Sequence, residues 1–286
     1  MRRGLGSVTR SVMRERTKAT AALCVALLLA LFSSGCKESA STKAGLEAVR
    51  QRGQLRVAMT GMYPPFNFYD DKNQLAGFDV DVAKELAKRL ELEPKLVTLR
   101  WDGILAGLMA GRYDVIVGSM AITPEREAAV DFTKPYYVSG AQVFARKDSE
   151  LAKKGGDLTG AVVGVNLGTT YEVALKKRTD VKDIRTYGGV PEILQDLGLG
   201  RIDAFVTDKL VGLHAAKDKG QPIVPVGEML FEERMGIPVK KGQPELLAAL
   251  DRALDDMRKD GTYSRLSERW FGAGASSDAP DSATQK

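Results

Sequence analysis

Hydrophobic residues follow two alternating periods between about residues 54 and 271. Residues 55–59 alternate between apolar and polar as a half-buried strand does, whereas from Phe78 to Leu90 an apolar residue recurs every four positions. The second pattern predicts a helix with one buried face, and Asp79 is expected to cap its start. Strand and helix patterns of this kind follow one another along most of the chain, which predicts an α/β fold.

One helix–glycine–strand pattern occurs twice, at residues 104–117 and at residues 193–206, with a constant offset of 89 residues. One interpretation is that any helix–glycine–strand unit looks alike. The other is that the chain forms two similar α/β lobes. In that case Ser119 and Asp208 occupy matching places beyond the carboxyl ends of matched strands, where open α/β sheets bind ligands. Two facing lobes would point both residues into one cleft.

The amino-terminal segment has the pattern of an export signal. A basic stretch precedes an apolar run over residues 21–32 and three small residues at 33–35. The run is shorter than the roughly 20 residues that cross a bilayer, and the alternative is a buried core helix. Residues 1–35 hold six of the 42 basic and one of the 37 acidic side chains, so the remainder carries 36 of each sign. The high isoelectric point therefore gives no reason to expect a nucleic-acid partner.

Cys36 follows this segment, and the Ser-Gly-Cys ending resembles a lipobox, with Ser33 in place of the usual leucine. The sequence predicts an exported, membrane-anchored lipoprotein, periplasmic or on the cell surface, that is acylated at Cys36. Ordinary signal-peptide cleavage after Gly35 is the alternative. Loss of Cys24 with the signal leaves no intramolecular disulfide. We predict a tether over residues 36–53 and a disordered tail over residues 273–286, which is rich in Ser, Ala and Asp.

Two sequence runs carry a family resemblance. Residues 77–82 read GFDVDV, and residues 122–137 read ITPEREAAVDFTKPYY. Both resemble the bacterial extracytoplasmic solute-binding proteins of family 3, which serve amino-acid ABC importers, and the similarity extends over about three quarters of the chain. It implies a monomeric, two-lobed periplasmic-binding-protein-like fold (type II) with an amino acid in the cleft and membrane permease subunits as partners. It implies no cofactor and no metal.

We predict that lobe 1 comprises residues 54–138 and 234–272, and that lobe 2 comprises residues 142–231. The internal repeat motivates this division, together with a carboxyl-terminal helix whose apolar stripe belongs to lobe 1. The stripe consists of Leu246, Leu247, Leu250, Leu254 and Met257.

Arg126 is the first candidate ligand-binding residue. It follows the apolar strand at residues 114–118, and a guanidinium is a fork of donors that suits a carboxylate. For an average arginine, pairing with a neighbouring acid at the surface is the better interpretation. The resemblance implies instead that Arg126 clamps an α-carboxylate. Backbone N–H groups of Ser119 and Ala121 are expected to add donors, beside Gly118.

Asp208 is the second candidate, since the resemblance implies that the acid closing this strand accepts the ligand's α-ammonium. A plain helix cap is the alternative. Thr169 and Thr170 lie in a turn that begins a helix, where free N–H groups attract anions. A plain N-cap explains them equally well, and the resemblance implies carboxylate contacts.

Tyr63 and Trp101 match positions where related proteins pack aromatic rings on the ligand, although most such rings belong to a core. Asn166 is expected to contact a polar ligand tail. Thr60 stands where binders of cationic amino acids carry an acid, which argues against a cationic ligand. Phe66, Tyr136 and Tyr137 are expected to be structural.

An enzyme is the main competing function. A prephenate or arogenate dehydratase on the same fold uses a carboxylate after the glycine-rich turn, where this chain has Glu172. Non-catalytic binders often have an acid there as well, so Glu172 discriminates poorly. A tethered sensor domain is a weaker alternative. His214 is the only histidine, which leaves histidine triads and multi-histidine metal sites without parts.

Overall fold

The computed structural model describes residues 45–217 and 219–272, which belong to one compact unit. The predicted signal peptide, Cys36 and the predicted tail at 273–286 lie outside the described residues. The strands, in chain order, are β1 Gln54–Met59, β2 Met62–Tyr63, β3 Asn67–Tyr69, β4 Leu75–Ala76, β5 Glu93–Thr98, β6 Val115–Ile116, β7 Met120–Ala121, β8 Val130–Phe132, β9 Tyr137–Arg146, β10 Val162–Asn166, β11 Asp183–Tyr187, β12 Ala204–Asp208, β13 Ile223–Gly236 and β14 Pro238–Lys240.

Helices alternate with these strands. In chain order they are α1 Leu46–Arg52, α2 Phe78–Arg89, α3 Ile104–Met109 after a 3₁₀ turn at Trp101–Gly103, α4 Pro124–Ala129, α5 Glu150–Lys153, α6 Thr170–Lys176, α7 Val190–Gly198, α8 Lys209–Lys217, α9 Pro244–Lys259 and α10 Thr262–Phe271. Within the described ranges, no helix is long and apolar enough to cross a bilayer. The predicted α/β alternation is confirmed.

Two larger sheets organise the fold. The first has the order β5-β1-β6-β14-β8, and β1 runs parallel to both of its neighbours. The second has the order β11-β10-β12-β9-β13-β7, and β10 likewise runs parallel to both neighbours. The long strands β9 and β13 pair antiparallel, with a register shift between Val226 and Phe231. Ligands bind at the carboxyl ends of such parallel strands.

The repeated sequence pattern corresponds to the same local structure in both sheets. Helix α3 leads into β6, and α7 leads into β12. The Asp114 carboxylate accepts the N–H of Arg56 at 2.8 Å, and the Asp203 carboxylate accepts the N–H of Val162 at 2.8 Å. Each aspartate thus ties the start of its strand to the central parallel strand of its own sheet, which supports the interpretation as two similar units.

The carboxyl-terminal segment packs on the first sheet. Strand β14 pairs with β6 and β8, and α9 and α10 contact α2. Four residues of the predicted stripe are completely buried, namely Leu246, Leu250, Leu254 and Met257, and Leu247 packs against the same core. The Tyr263 hydroxyl donates to the Tyr136 carbonyl at 2.5 Å, which fixes α10 near the start of β9.

The tether prediction is wrong for residues 46–52. Leu46 and Val49, three residues apart, share one face of α1 and are buried in the same core as α2 and α9. Gly53 ends the helix in the left-handed conformation at φ 69°. Arg52 then pairs with Asp114 at 2.6 Å. The folded unit therefore begins before the first strand.

Candidate functional site

A cavity of about 490 Å³, partly open to solvent, lies between the carboxyl ends of strands from both sheets. Nine of the ten predicted ligand-binding residues line it, all except Asp208. The lining residues are Thr60, Met62, Tyr63, Trp101, Gly118, Ser119, Ala121, Arg126, Asn166, Thr169, Thr170, Tyr171, Gly188 and Glu233. Tertiary folding thus brings together residues that are distant in sequence.

Arg126 projects from the short helix α4, which Thr123 caps by accepting the Arg126 N–H at 3.3 Å. Its Nη1 donates to the Ala121 carbonyl at 2.8 Å, and its guanidinium lies 5.7 Å from the centre of the Trp101 ring. Burial lowers the pKa of Arg126, and the nearby Glu233 opposes that shift. The bond to the Ala121 carbonyl is the only hydrogen bond of the guanidinium within the described part of the chain. Most of the guanidinium donors therefore remain available to an anion.

Ser119 is placed differently from the prediction. It adopts a left-handed conformation at φ 58°, which is uncommon for residues other than glycine. Its N–H donates to the Tyr136 hydroxyl at 2.9 Å, and its Oγ donates to Asp79 at 3.1 Å. The expectation that this N–H serves the ligand is therefore wrong in this conformation, because Tyr136 already occupies it.

The glycine-threonine turn links β10 to α6. The Thr169 hydroxyl accepts the N–H of Glu172 at 3.3 Å, and the Glu172 carboxylate accepts the N–H of Gly168 at 2.6 Å. This reciprocal arrangement has the form of a capping box, so the N-cap interpretation is correct. The N–H of Thr170, in the first helical turn, has no intrahelical acceptor and borders the cavity.

Asp208 does not line the cavity and is fully buried at the end of β12. Its Oδ1 accepts from the Ser139 hydroxyl at 2.7 Å and from the Leu210 N–H at 2.8 Å. The helix-cap alternative is therefore correct for this oxygen. Its Oδ2 has no partner within the described residues. Burial raises the pKa of Asp208 to about 7, and the nearby Glu233 adds to the shift.

Tyr63 and Trp101 are the two aromatic residues predicted to meet the ligand. Burial raises the pKa of Tyr63, and the nearby charge of Asp208 raises it further. Tyr63 also stacks on Phe66, with ring centres 5.8 Å apart. Trp101 donates its indole N–H to the Gly168 carbonyl at 3.1 Å, across the cavity. As predicted, Phe66, Tyr136 and Tyr137 are fully buried core residues.

Glu233 is the main residue that sequence reasoning missed. It lines the cavity on β13, it is 9% exposed, and its Oε2 has no partner within the described residues. Burial raises its pKa, and the positive charge of Arg126 opposes that shift. Glu232 and Glu233 are adjacent in one strand, so the sequence does not show which of them faces the cavity. The burial of one face of β13 decides it. Tyr171, Met62 and Gly188 also line the cavity and were not predicted.

The family comparison explains this architecture. Residues 55–273 match the model of the bacterial extracellular solute-binding proteins, family 3. This protein belongs to that family. It is 40% identical over 253 residues to the L-cystine-binding protein TcyJ of Escherichia coli (strain K12), which covers 88% of this chain and 95% of that relative. It is 32% identical over 254 residues to the ABC transporter arginine-binding protein 1 of the same strain, over 87% of this chain and 98% of the relative.

Solved structures agree with the predicted fold. The ancestral amino acid-binding protein AncCDT-1, a precursor of cyclohexadienyl dehydratase, is 40% identical and superposes with a TM-score of 0.74 over 79% of this chain and 99% of that one. An ancestral arginine-binding protein bound to glutamine is also 40% identical, with a TM-score of 0.73 over 77% and 99% of the two chains. The predicted two-lobed α/β fold is confirmed.

Proposed function

We propose that this amino-acid-binding protein of the ABC importer class holds one amino acid between Arg126 and Asp208. The observation that carries the proposal is a pair of charged groups with unused hydrogen-bonding capacity within the described residues: a guanidinium with free donors in the cavity, and a fully buried carboxylate with one free oxygen. An α-carboxylate suits the first and an α-ammonium suits the second. The Thr170 N–H is a further donor to the carboxylate.

The two lobes are proposed to comprise residues 54–138 with 234–272, and residues 142–231. The strand pairing of β14 with β6 and β8 supports assigning the carboxyl-terminal segment to the first lobe. Strands β9 and β13 cross between the lobes, so they are the natural hinge. The bond from Trp101 to Gly168 joins one lobe to the other and favours the closed cleft.

A binder is favoured over a dehydratase because Glu172 is already engaged. Its carboxylate accepts the Gly168 N–H and pairs with Lys176 at 2.6 Å, and it is absent from the lining of the cavity. These partners lower the pKa of Glu172 against the effect of burial, whereas a general acid needs a raised pKa. Relatives with names that specify a ligand are solute-binding proteins.

The ligand side chain is proposed to lie against Thr60, Trp101 and Asn166, which border the cavity as expected. The argument from Thr60 against a cationic ligand is weakened by Glu233, a second buried carboxylate in the same cavity. Relatives include proteins named as binders of cystine, arginine and histidine. A screen must therefore include both neutral and cationic amino acids.

A thermal-shift screen of the twenty amino acids with L-cystine tests the proposed function. Bound ligand stabilises the folded state by RT ln(1 + [L]/Kd), so millimolar ligand with micromolar affinity adds about 4 kcal/mol and raises the melting temperature by several degrees. Prephenate and arogenate turnover is assayed in parallel with Glu172→Gln as the control. The absence of any shift, together with turnover that depends on Glu172, would replace the binder with the enzyme.

We further propose that the protein is exported and acylated at Cys36. Its folded unit starts at about residue 45, which leaves a short stretch after Cys36 to act as a tether. Metabolic labelling with a fatty-acid analogue should mark the wild type in the membrane fraction, whereas Cys36→Ala should lose both the label and the anchoring. Wild-type protein that is unlabelled and freely soluble outside the cytoplasm would disprove the anchor but leave the export intact.

A further inference from the structure

Asp79 is a buried carboxylate that the proposed binding function does not explain. It belongs to the 77–82 run, it is completely buried, and three side chains donate to it. Gly77 is the N-cap of α2 and no side-chain cap bond is present, so the expectation that Asp79 caps this helix is wrong. Within the described ranges it forms no ion pair. Burial raises its pKa to about 6, whereas the hydrogen bonds from Tyr136, Asn67 and Ser119 favour its ionised form.

One branch of its hydrogen bonds reaches Ser119. The Tyr136 hydroxyl donates to Asp79 Oδ1 at 2.7 Å and accepts the Ser119 N–H at 2.9 Å. The Ser119 hydroxyl donates to Asp79 Oδ2 at 3.1 Å. Ser119 borders the cavity in a left-handed conformation, which is strained for a residue with a side chain and persists only where the surroundings enforce it. The bonds from the Ser119 N–H to Tyr136 and from the Ser119 hydroxyl to Asp79 enforce it.

The other branch reaches the loop at Thr60. Asn67 donates from Nδ2 to Asp79 Oδ2 at 2.7 Å, which fixes the orientation of its amide. Its Oδ1 then accepts the N–H of Thr60 at 3.1 Å, the N–H of Gly61 at 2.9 Å and the Thr60 hydroxyl at 2.8 Å. Thr60 also borders the cavity. Two separate loops of the cavity wall are therefore held from one carboxylate.

We propose that Asp79 is a positioning residue that sets the ligand-facing geometry of both the Ser119 turn and the Thr60 loop. Its part in affinity rests on the proposed binding function, whereas its part in holding the two loops does not. An ionised carboxylate only accepts hydrogen bonds, so Asn67, Ser119 and Tyr136 must each point a donor towards it. An asparagine at this position presents an N–H₂ group to at least one of these donors and breaks the arrangement. Burying the charge of Asp79 lowers the stability of the fold, and in return the two loops of the cavity wall are preorganised.

Residue-resolved amide hydrogen exchange of the ligand-free protein, measured by NMR, tests the positioning role directly. Asp79→Asn should lower protection at both the Ser119 and the Gly61 amides by about tenfold or more, because both branches lose their common acceptor. Tyr136→Phe keeps the ring but removes the bridging hydroxyl, so it should lower protection at Ser119 and leave Gly61 unchanged. Tyr137→Phe is the matched control, since its buried hydroxyl has no partner within the described residues; both amides should stay protected.

Affinity is measured on the same variants with L-arginine and L-cystine by calorimetry. Asp79→Asn should raise Kd about tenfold or more, and Tyr136→Phe should raise it less. The increase in Kd of the double variant should be smaller than the product of the two single increases, because the two residues act through one network. Unchanged protection at both amides in Asp79→Asn would overturn the proposal. If Asp79→Asn fails to fold, wild-type protection of the Ser119 amide in Tyr136→Phe would overturn it instead. If neither probe binds the wild type, the ligand assignment fails, and the exchange pattern still decides the positioning role.

Discussion

Arg126→Ala should weaken amino-acid binding by about a hundredfold or more. The guanidinium is partly buried beside the Trp101 ring, and a ligand carboxylate that enters the cavity without it is left desolvated and without its cationic partner, which costs several kcal/mol. Within the described residues the Arg126 side chain forms one hydrogen bond, to the Ala121 carbonyl, so folding should survive its removal. Isothermal titration with the ligand found in the screen gives the change in Kd.

Two further variants sharpen this measurement. Arg126→Lys keeps the charge but loses the two-pronged fork, so its affinity should fall between those of the wild type and Arg126→Ala. Arg112→Ala removes an exposed arginine outside the cavity and should bind normally. An Arg126→Ala protein that is folded and binds within threefold of the wild type would show that the carboxylate lies elsewhere.

Asp208→Asn should also weaken binding by about a hundredfold, because the ligand ammonium loses its buried counter-charge. The same change should alter the pH profile. The pKa of Asp208 is about 7 in the ligand-free protein, and a bound ammonium lowers it. Wild-type affinity should therefore be level above pH 7 and fall by up to tenfold per unit below it, whereas Asp208→Asn should lose the part of this dependence that belongs to Asp208.

Stability should change in the opposite direction. The folded pKa of Asp208 lies above its ordinary value of 3.8, so the ligand-free folded state holds the proton more tightly than the unfolded chain. The free energy of unfolding thus falls as the pH rises from about 4 to about 7, and Asp208→Asn removes that contribution. Asp203→Asn, just before the other end of the same strand, is the control for affinity, because among the described residues its carboxylate accepts only the Val162 N–H. Equal losses of affinity in both variants would refute the assigned role of Asp208.

Local patterns were sufficient for the fold and for much of the site. The four-residue period from Phe78 predicts α2, and the stripe from Leu246 predicts α9, because a helix that buries one face needs apolar residues at that spacing. The position of Arg126 just past a strand, and of Asp208 at the end of another, follows from the rule that ligands meet the carboxyl ends of parallel strands. The family resemblance then supplied the roles of these two residues.

Other features depend on long-range packing and leave no local signal. Glu233 faces the cavity only because β13 pairs with β9 in one register, and a shift of one residue would turn it to the other side. The Ser119 N–H was expected to meet the ligand, but the hydroxyl of Tyr136, seventeen residues further along the chain, accepts it. Leu46 and Val49 fell within the predicted tether, although both are buried in the core. A helix as short as α1 is stable only when its apolar face packs on another part of the fold, and the local sequence does not show that packing.

The sequence by itself determined the α/β fold and the family, and it predicted the residues proposed to hold the two ends of the ligand, because these depend on spacing, strand ends and residue chemistry. Tertiary structure alone decided which polar groups are free to bind. The Glu172 carboxylate is used by Gly168 and Lys176, whereas one oxygen of Asp208 and one of Glu233 remain without partners within the described residues. The physical reason is that burial and hydrogen bonding are set by neighbours distant in sequence, and these determine the charge and availability of each group.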